Sequence, residues 1–244
     1  MKFEDVFHVK KPVMAMLHLK GETHEEVLQR AKRETDLLFD AGADAVIVED
    51  YFGDEQDVVA VLEWLQKERP DALYGVNLLD QFEKSYQLAE RYGAKFMQVD
   101  SVAGHLSPED DAEYGALCEK YHEKGTVLVL GGVRFKYKPV LSGRSLEEDL
   151  RLGMQRCDAI VVTGEGTGMN TSLEKIQEFR DIMGEFPLIV GAGLTAQTAG
   201  QQLSVGDGAI VGSTLKDTRT AEGDVCSAYV EEFMAQVKQL REGH

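Results

Sequence analysis

The segment Pro187–Lys216 reads PLIVGAGLTAQTAGQQLSVGDGAIVGSTLK and contains two short apolar strands, each followed by a glycine-containing loop. The first strand leads into Gly191-Ala192-Gly193-Leu194-Thr195 and the second into Gly212-Ser213-Thr214-Leu215-Lys216. Glycines after parallel strands let backbone N–H groups approach an anion, and the following helix directs its positive end toward that anion. The segment therefore predicts two consecutive βα units with a phosphate-binding loop after each strand.

The same alternation of strand and helix extends along the whole chain. Helix caps separate the apolar runs, as at Ser107-Pro108 and at Ser145 with Glu148 three residues later. The predicted strands are Pro12–His18, Asp44–Glu49, Ala72–Asn77, Lys95–Asp100, Thr126–Gly131, Asp158–Thr163, Pro187–Gly191 and Asp207–Gly212. Eight such units without a linker predict a single α/β domain over residues 1–244, a (β/α)8 TIM barrel. A doubly wound sheet is the competing fold, but eight successive units would make it unusually wide.

Three of the predicted strands begin in the same way. Asp44-Ala45-Val46-Ile47-Val48 returns as Asp158-Ala159-Ile160-Val161-Val162 and again as Asp207-Gly208-Ala209-Ile210-Val211. Repetition at the spacing of whole βα units supports a barrel built from related parts.

Composition excludes several classes of protein. A hydrophobic fraction of 43% suffices for a large core, and a net charge of −17 argues against nucleic-acid and membrane-surface partners. Cys118, Cys157 and Cys226 have neither zinc-site nor disulfide spacing, which favours a reducing compartment. No apolar run could span a bilayer and the N-terminus lacks the features of a signal peptide, so we expect a cytoplasmic protein. Barrels of this type often associate through their outer helices, and a homo-oligomer is expected on that basis.

The predicted strands end in polar residues of particular types. In a TIM barrel the ligand site lies at the C-terminal ends of the strands, where this chain places His18, Glu49-Asp50, Asn77 and Asp100. Strands must become polar as they leave the core, but serine or lysine would serve that purpose equally well. We predict that Glu49 and Asp100 transfer protons, with His18 and Asn77 orienting the substrate.

The fifth unit contains Arg134, Lys136 and Lys138 in an otherwise acidic chain. A solvated basic loop would explain them, yet the local reversal of charge favours attraction of an anionic ligand. Lys136 is predicted to act as an electrostatic clamp, with an amine nucleophile as the alternative.

The sixth unit ends at Thr163 and continues into the glycine loop Gly164-Glu165-Gly166-Thr167-Gly168. One interpretation is a flexible turn. The other is a ligand-covering loop, in which Thr163, Gly164 and Thr167 contact the substrate and Glu165 acts on it.

No cofactor follows from the sequence. His18, Glu49, Asp50 and Asp100 could together bind Mg²⁺ that bridges to a phosphate. No spacing motif supports such a site, and carboxylates at a barrel mouth serve equally well as acids, bases or acceptors from sugar hydroxyls. No metal ligand is therefore assigned.

The chain resembles the BtpA/SgcQ family over nearly its whole length and in the same order. The stretches that carry the resemblance are Lys11–Leu19, Ala43–Glu49, Phe52–Asp54, Gly75–Leu79, Asp158–Gly164, Thr167-Gly168, Gly191–Thr195 and Asp207–Lys216. The resemblance implies a barrel akin to the ribulose-phosphate-binding group. One branch of that family is linked to photosystem I biogenesis, another is named for nucleosidase or sugar metabolism, and some members are labelled phosphoribosylanthranilate isomerases.

This chain departs from the family pattern at the mouth of the barrel. Gln98-Val99-Asp100 stands where the family tends to have Arg-Val-Asn, Ser101–His105 replaces a His-Thr-Gly loop, and Lys136-Tyr137 replaces Lys-His. The stretch Glu49–Gly53 is one residue longer than usual. These differences lie where a substrate would bind, so they affect the inference of a substrate from the family more than the inference of its fold.

Together these features predict an enzyme of the lyase or isomerase type acting on a small phosphorylated sugar or nucleoside-like compound. The phosphate is predicted to bind at Gly191, Gly193, Gly212 and Ser213, with Arg134 and Lys136 adding positive charge. Hydrolysis of an N-glycosidic bond by a nucleosidase is the second enzymatic hypothesis. A hypothesis from another class is a barrel that binds a phosphorylated ligand without chemistry and acts in assembly or regulation.

Overall fold

Eight parallel strands close into a barrel in the computed structural model, which describes residues 1–243. The strands are β1 (Val13–His18), β2 (Ala45–Glu49), β3 (Tyr74–Asn77), β4 (Phe96–Ala103), β5 (Leu128–Val133), β6 (Ala159–Val162), β7 (Leu188–Val190) and β8 (Gly208–Val211). Each pairs with the next in chain order, and β8 pairs with β1. The predicted (β/α)8 TIM barrel is therefore confirmed.

Helices surround the barrel. They are α1 (Phe3–Val6), α2 (His24–Asp40), α3 (Glu55–Glu68), α4 (Phe82–Tyr92), α5 (Pro108–Lys124), α6 (Leu146–Arg156), α7 (Leu173–Met183), α8 (Ala196–Val205) and α9 (Ser227–Glu242), with a 3₁₀ turn at Ser213–Leu215 after β8. The predicted caps are present: the Ser107 and Ser145 hydroxyls accept from backbone N–H groups in the first turns of α5 and α6. Gly93 and Gly125 end α4 and α5 in the left-handed conformation that favours glycine.

Side-chain alternation divides the core into two parts. One face of each strand packs against the helices, and the other fills the barrel interior with residues such as Met16, Ile47, Phe96 and Leu130. Phe7, just after α1, packs on Phe96 with 5.2 Å between ring centroids and covers the N-terminal end of the barrel. The interior is therefore closed at the N-terminal ends of the strands, and open space lies at their C-terminal ends.

Two strands, β4 and β5, extend beyond their predicted ends. β4 continues three residues beyond the predicted end at Asp100, and β5 runs two residues further along the chain than predicted. Pairing of β4 with β5 shifts register between Val99 and Ala103, so a bulge lengthens β4 next to Asp100. Gly132 was predicted to lie in the loop after β5 but lies inside the strand. Its position requires glycine, because a Cβ there would lie 2.0 Å from the Asp100 carbonyl oxygen.

The cysteines are unpaired thiols, and Cys118 and Cys157 are fully buried against helices. Burial raises the pKa of Cys118 to about 12, so this thiol is un-ionised at neutral pH. Within residues 1–243 there is no helix with the length and apolar character needed to cross a membrane.

Candidate active site

A cavity of about 170 Å³ opens at the C-terminal ends of the strands. The predicted site residues that line it are His18, Glu49, Asp100, Lys136, Thr167, Gly191, Gly193, Gly212 and Ser213. They come from seven different βα units, so only closure of the barrel brings them together. This is the position at which TIM-barrel enzymes bind their substrates.

An acidic cluster forms one side of the cavity. The amide Nδ2 of Asn77 donates to Glu49 Oε1 at 2.8 Å and to Asp100 Oδ1 at 3.4 Å. His18 Nε2 lies 3.4 Å from Glu49 Oε2, and both side chains are 95% buried. Asn77 is itself buried and does not line the cavity, so it positions the two carboxyl groups from behind.

Burial determines the protonation of the His18–Glu49 pair. Desolvation, assisted by the neighbouring Asp100, raises the pKa of Glu49 to about 8. Desolvation, assisted by the charge of Lys216, lowers the pKa of His18 to about 3. Both shifts favour a neutral carboxylic acid beside a neutral imidazole at pH 7. Glu49 can then donate a proton.

Asp100 shares much of this environment. Burial raises its pKa as well, and the Asn77 hydrogen bond and the Lys136 charge oppose that effect at both carboxyl groups. Other contributions differ: repulsion from Asp100 further raises the pKa of Glu49, and the charge of Lys138 further opposes the rise at Asp100. These differences favour Glu49 as the acid of the pair and Asp100 as the base.

Lys136 brings positive charge to the cavity. Lys136 Nζ donates to Thr167 Oγ1 at 3.3 Å and, within residues 1–243, forms no salt bridge with a carboxylate. The Lys136 backbone N–H donates to Thr163 Oγ1 at 3.0 Å, and the Tyr137 hydroxyl accepts from the Thr167 N–H at 2.7 Å. These bonds join the β5–α6 and β6–α7 loops beside the cavity. Thr163 is buried behind its lining.

The glycine loops after β7 and β8 form the adjoining wall. The Thr214 hydroxyl donates to the Leu194 carbonyl at 2.6 Å and ties the two loops together. In the part of the chain that the structure describes, the backbone N–H groups of Gly193, Ser213 and Thr214 have no hydrogen-bond acceptor. Gly193 has φ +68°, and a Cβ there would lie 2.2 Å from the Met169 carbonyl oxygen. Glycine is therefore required for contact between loops, whether or not an anion binds.

Two predicted substrate contacts lie elsewhere. Arg134 turns outward, where its Nε donates to Asp149 Oδ2 at 2.8 Å and a terminal nitrogen donates to the Arg144 carbonyl at 2.7 Å. Gly164 lines a separate outer groove between the β5–α6 and β6–α7 loops, and a Cβ there would lie 2.8 Å from the Met169 carbonyl oxygen. Neither residue lines the central cavity.

The four residues considered as Mg²⁺ ligands do not bring three donor atoms close enough together to share an ion. The Asp50 carboxylate accepts from the Leu79 N–H at 2.9 Å, in the loop after β3. Among the residues described, three donor atoms approach one another closely enough to share an ion only at His24, Asp54 and Asp57. Asp54 and Asp57 there cap the N-terminus of α3, which accounts for their proximity without an ion.

Comparison with known proteins identifies the family. The model of the BtpA family matches residues 9–239. The chain belongs to the BtpA family. It is 25% identical over 235 residues to the photosystem I biogenesis protein BtpA of Synechocystis, and the matched region covers 86% of this chain and 82% of that one. It is 27% identical to an uncharacterised protein of Pyrococcus furiosus, covering 88% and 90% of the two chains.

Solved structures resemble this BtpA-family barrel in fold. Phosphoribosyl anthranilate isomerase from Thermus thermophilus superposes with a TM-score of 0.62 at 15% identity, covering 94% of this chain and all of that one. Thiamine phosphate pyrophosphorylase from Pyrococcus furiosus gives a TM-score of 0.60 at 17% identity, covering 94% and 96%. At such identities the likeness establishes the barrel fold alone.

Gln98 and Tyr51 are among the residues of this BtpA-family cavity that were not predicted. Gln98 lines it from β4 and is 95% buried, and its Oε1 has no hydrogen-bond partner among residues 1–243. Alternation along β4 places Phe96, Gln98 and Asp100 on the same interior face, and this signal was available in the sequence. Tyr51 packs on the His18 ring with centroids 4.9 Å apart and belongs to the lengthened β2–α3 loop. No periodic pattern marks a loop aromatic of this kind.

Proposed function

We propose that this BtpA-family protein is an enzyme that isomerises or cleaves a small phosphorylated sugar. One observation carries the proposal: a single cavity is lined by Glu49 and Asp100, by Lys136, and by three residues whose backbone N–H groups have no acceptor among residues 1–243. Structural neighbours whose names include phosphorylated compounds add support at the level of fold.

The binding part of the proposal concerns the phosphate. The backbone N–H groups of Gly193, Ser213 and Thr214 would donate to its oxygens, and Lys136 would supply charge. The chain as a whole carries a net charge of −17, so its general field repels an anion. Recognition of phosphate therefore depends on these few local groups, and removal of any one should measurably lower the affinity for phosphate.

The catalytic part concerns two proton transfers. Asp100 would remove a proton from the carbon next to the sugar carbonyl, while the neutral Glu49 donates its proton to the carbonyl oxygen. The product of this step is an enediol with Asp100 protonated and Glu49 ionised. Return of the Asp100 proton to the former carbonyl carbon, with return of a hydroxyl proton to Glu49, completes an isomerisation.

A second candidate is a ligand-binding barrel without turnover. Both Glu49 oxygens already have neighbours in the protein, Asn77 at 2.8 Å and His18 at 3.4 Å, so the cluster is stable without a reaction. The relative from Synechocystis is named for photosystem I biogenesis. Glu49→Gln distinguishes the candidates, because a binding protein tolerates this change and an enzyme that needs the Glu49 proton does not.

The proposal includes a reducing, cytoplasmic location, which the three unpaired cysteines support. Self-association, the exclusion of nucleic acid and membrane, and participation of Mg²⁺ stay predictions of the sequence.

A thermal-shift screen tests the phosphate site. Inorganic phosphate, sugar phosphates and nucleoside monophosphates are compared, each with and without Mg²⁺. A ligand at about a hundred times its Kd adds roughly 2.7 kcal/mol to the free energy of unfolding, which gives a clear rise in melting temperature. Ser213→Asp should abolish the shift by placing a carboxylate against the phosphate, whereas Ser213→Ala, which keeps the backbone N–H, should retain it. No shift with any phosphate would contradict the proposed function.

A further inference from the structure

Resting on the proposed function, we infer that the substrate is a short sugar phosphate, of about three to five carbons, with no base or other aglycone attached. Four features of the cavity support this: its volume, the short distance between the β8 loop and Glu49, the residues that separate it from an outer groove, and the amide oxygen of Gln98, which has no partner among residues 1–243.

The volume limits the ligand. The cavity measures about 170 Å³. An engineered protein cavity of about 150 Å³ holds a benzene molecule, and pockets for drug-sized ligands measure about 300–1,000 Å³. A phosphate with a few carbons and hydroxyls therefore matches this cavity, and a nucleotide or a sugar phosphate with an aromatic substituent exceeds it.

The loop after β8, where the phosphate is proposed to bind, lies directly beside the His18–Glu49 pair. A Cβ placed on Gly212 would lie 3.0 Å from His18 Cε1, and His18 Nε2 is 3.4 Å from Glu49 Oε2. One imidazole ring thus separates the β8 loop from the Glu49 carboxyl group. Since each C–C bond adds about 1.5 Å, a phosphate held at Ser213 places the reacting carbons within the first few of the chain.

Contacts between side chains and loops border the cavity. The Tyr51 ring packs on His18, and the Tyr137–Thr167 hydrogen bond joins the β5–α6 and β6–α7 loops. A larger groove of about 700 Å³ lies outside and shares Phe135, Lys136 and Tyr137 with the cavity. These three residues form the wall between the two spaces, so an aglycone would have to displace them to occupy the groove.

The remaining wall calls for a hydroxyl group. Gln98 Oε1 is buried without a hydrogen-bond partner in the described part of the chain, and it lies on the same face of β4 as Asp100. A buried acceptor is costly unless it receives a hydrogen bond. A fully ionised phosphate has no proton to donate to Gln98 Oε1, whereas a sugar hydroxyl does, so this oxygen favours the hydroxylated part of the ligand.

Calorimetric titration with matched ligands tests the inference. Glycerol 3-phosphate and n-propyl phosphate have the same carbon chain and phosphate but differ in two hydroxyls. We expect glycerol 3-phosphate to bind at least about tenfold more tightly, and erythrose 4-phosphate to bind no more weakly than glycerol 3-phosphate. Uridine 5′-monophosphate should bind at least about tenfold more weakly than glycerol 3-phosphate.

A near-isosteric variant tests the role of Gln98. Gln98→Met should reduce the preference for glycerol 3-phosphate over n-propyl phosphate to about twofold or less and leave the affinity for inorganic phosphate unchanged. Leu79→Met, another change in the cavity lining, should keep the preference. Should Gln98→Met fail to fold, the wild-type comparisons decide alone.

The outcomes separate the two proposals. Equal binding of uridine 5′-monophosphate and glycerol 3-phosphate, or equal binding of the glycerol and propyl esters, overturns the substrate class while the phosphate site stands. An unchanged preference in Gln98→Met overturns the role of Gln98. Failure of every phosphate compound to bind removes the proposed function itself.

Discussion

At the scale of single residues, the His18–Glu49 pair shows how burial sets chemistry. In water each group would change its charge near its usual pKa, but burial inside the barrel makes ionisation of either group unfavourable. The pair therefore stays neutral over a wide pH range, with the Asn77 amide holding one Glu49 oxygen and leaving the other toward His18. Glu49 is therefore protonated at neutral pH and can donate its proton to a ligand.

These two shifts predict a stability maximum at mildly acidic pH. The Glu49 pKa rises from 4.5 to about 8 on folding, so the native state binds the extra proton and stability falls as pH rises between those values. The His18 pKa falls from 6.5 to about 3, so stability falls as pH drops below 6.5. Melting temperature measured from pH 3 to 9 should therefore peak between about 4.5 and 6.5.

Glu49→Gln isolates one limb of that profile. Removing the titrating group should reduce the loss of stability between pH 6 and 8, whereas Glu68→Gln, at an exposed position on α3, should leave the wild-type slope. Equal slopes for wild type and Glu49→Gln would show that Glu49 is already ionised at pH 6.

Lys136 supports a second prediction at this scale. Its charge acts on Asp100, and it has no carboxylate partner among residues 1–243. Lys136→Met should therefore weaken the binding of inorganic phosphate by about tenfold, or about 1.4 kcal/mol, close to the lower end of the range for a hydrogen bond to a charged group. The wild-type affinity should also fall with added salt more steeply than that of the variant. Lys67→Met, on the exposed end of α3, is the matched control. An unchanged affinity in Lys136→Met would remove this lysine from the site.

At the scale of elements, the contact between β4 and β5 positions Asp100. Gly132 permits the Asp100 backbone to approach, and a methyl group there would meet both the Asp100 carbonyl oxygen at 2.0 Å and the Phe135 ring at 2.4 Å. Gly132→Ala should therefore lower the free energy of unfolding by about 1–3 kcal/mol, the usual range for overpacking. Gly200→Ala, in the interior of α8 with open space around its Cβ position, should instead add about 0.5–1 kcal/mol. Denaturant titration measures both, and a neutral Gly132→Ala would mean that β5 moves away from Asp100 at little cost.

The same elements show what the sequence could and could not predict. Alternating strands and helices are local patterns, so the barrel and the strand ends with His18 and Glu49 follow from them. The bulge in β4 depends on pairing with β5, and the outward turn of Arg134 depends on Asp149, fifteen residues away on α6. Side-chain direction in loops is decided by such partners, and a linear pattern does not contain them.

At the scale of the whole molecule, the repeated strand openings have a structural explanation. Asp44, Asp158 and Asp207 each precede a strand. Each accepts a hydrogen bond from a backbone N–H at the start of the preceding strand, that of Val13, Val129 or Leu188 respectively. Each also contacts a cationic group from another element, such as Arg241 for Asp44 and Arg180 for Asp207. These aspartates join neighbouring strands at the N-terminal end of the barrel. The molecule thus separates a stabilising face from the face that holds the cavity.

Asp158→Ala tests that separation. The change leaves the Val129 N–H without its 2.7 Å acceptor and removes the partner of His122, which should cost about 1–3 kcal/mol and lower the melting temperature by several degrees. The affinity for inorganic phosphate, measured by calorimetry at a temperature where both proteins are folded, should not change. Asp71→Ala, in an exposed loop between α3 and β3, should alter neither quantity. Weaker phosphate binding in Asp158→Ala would show instead that strain passes along β5 and β6 from one end of the barrel to the other.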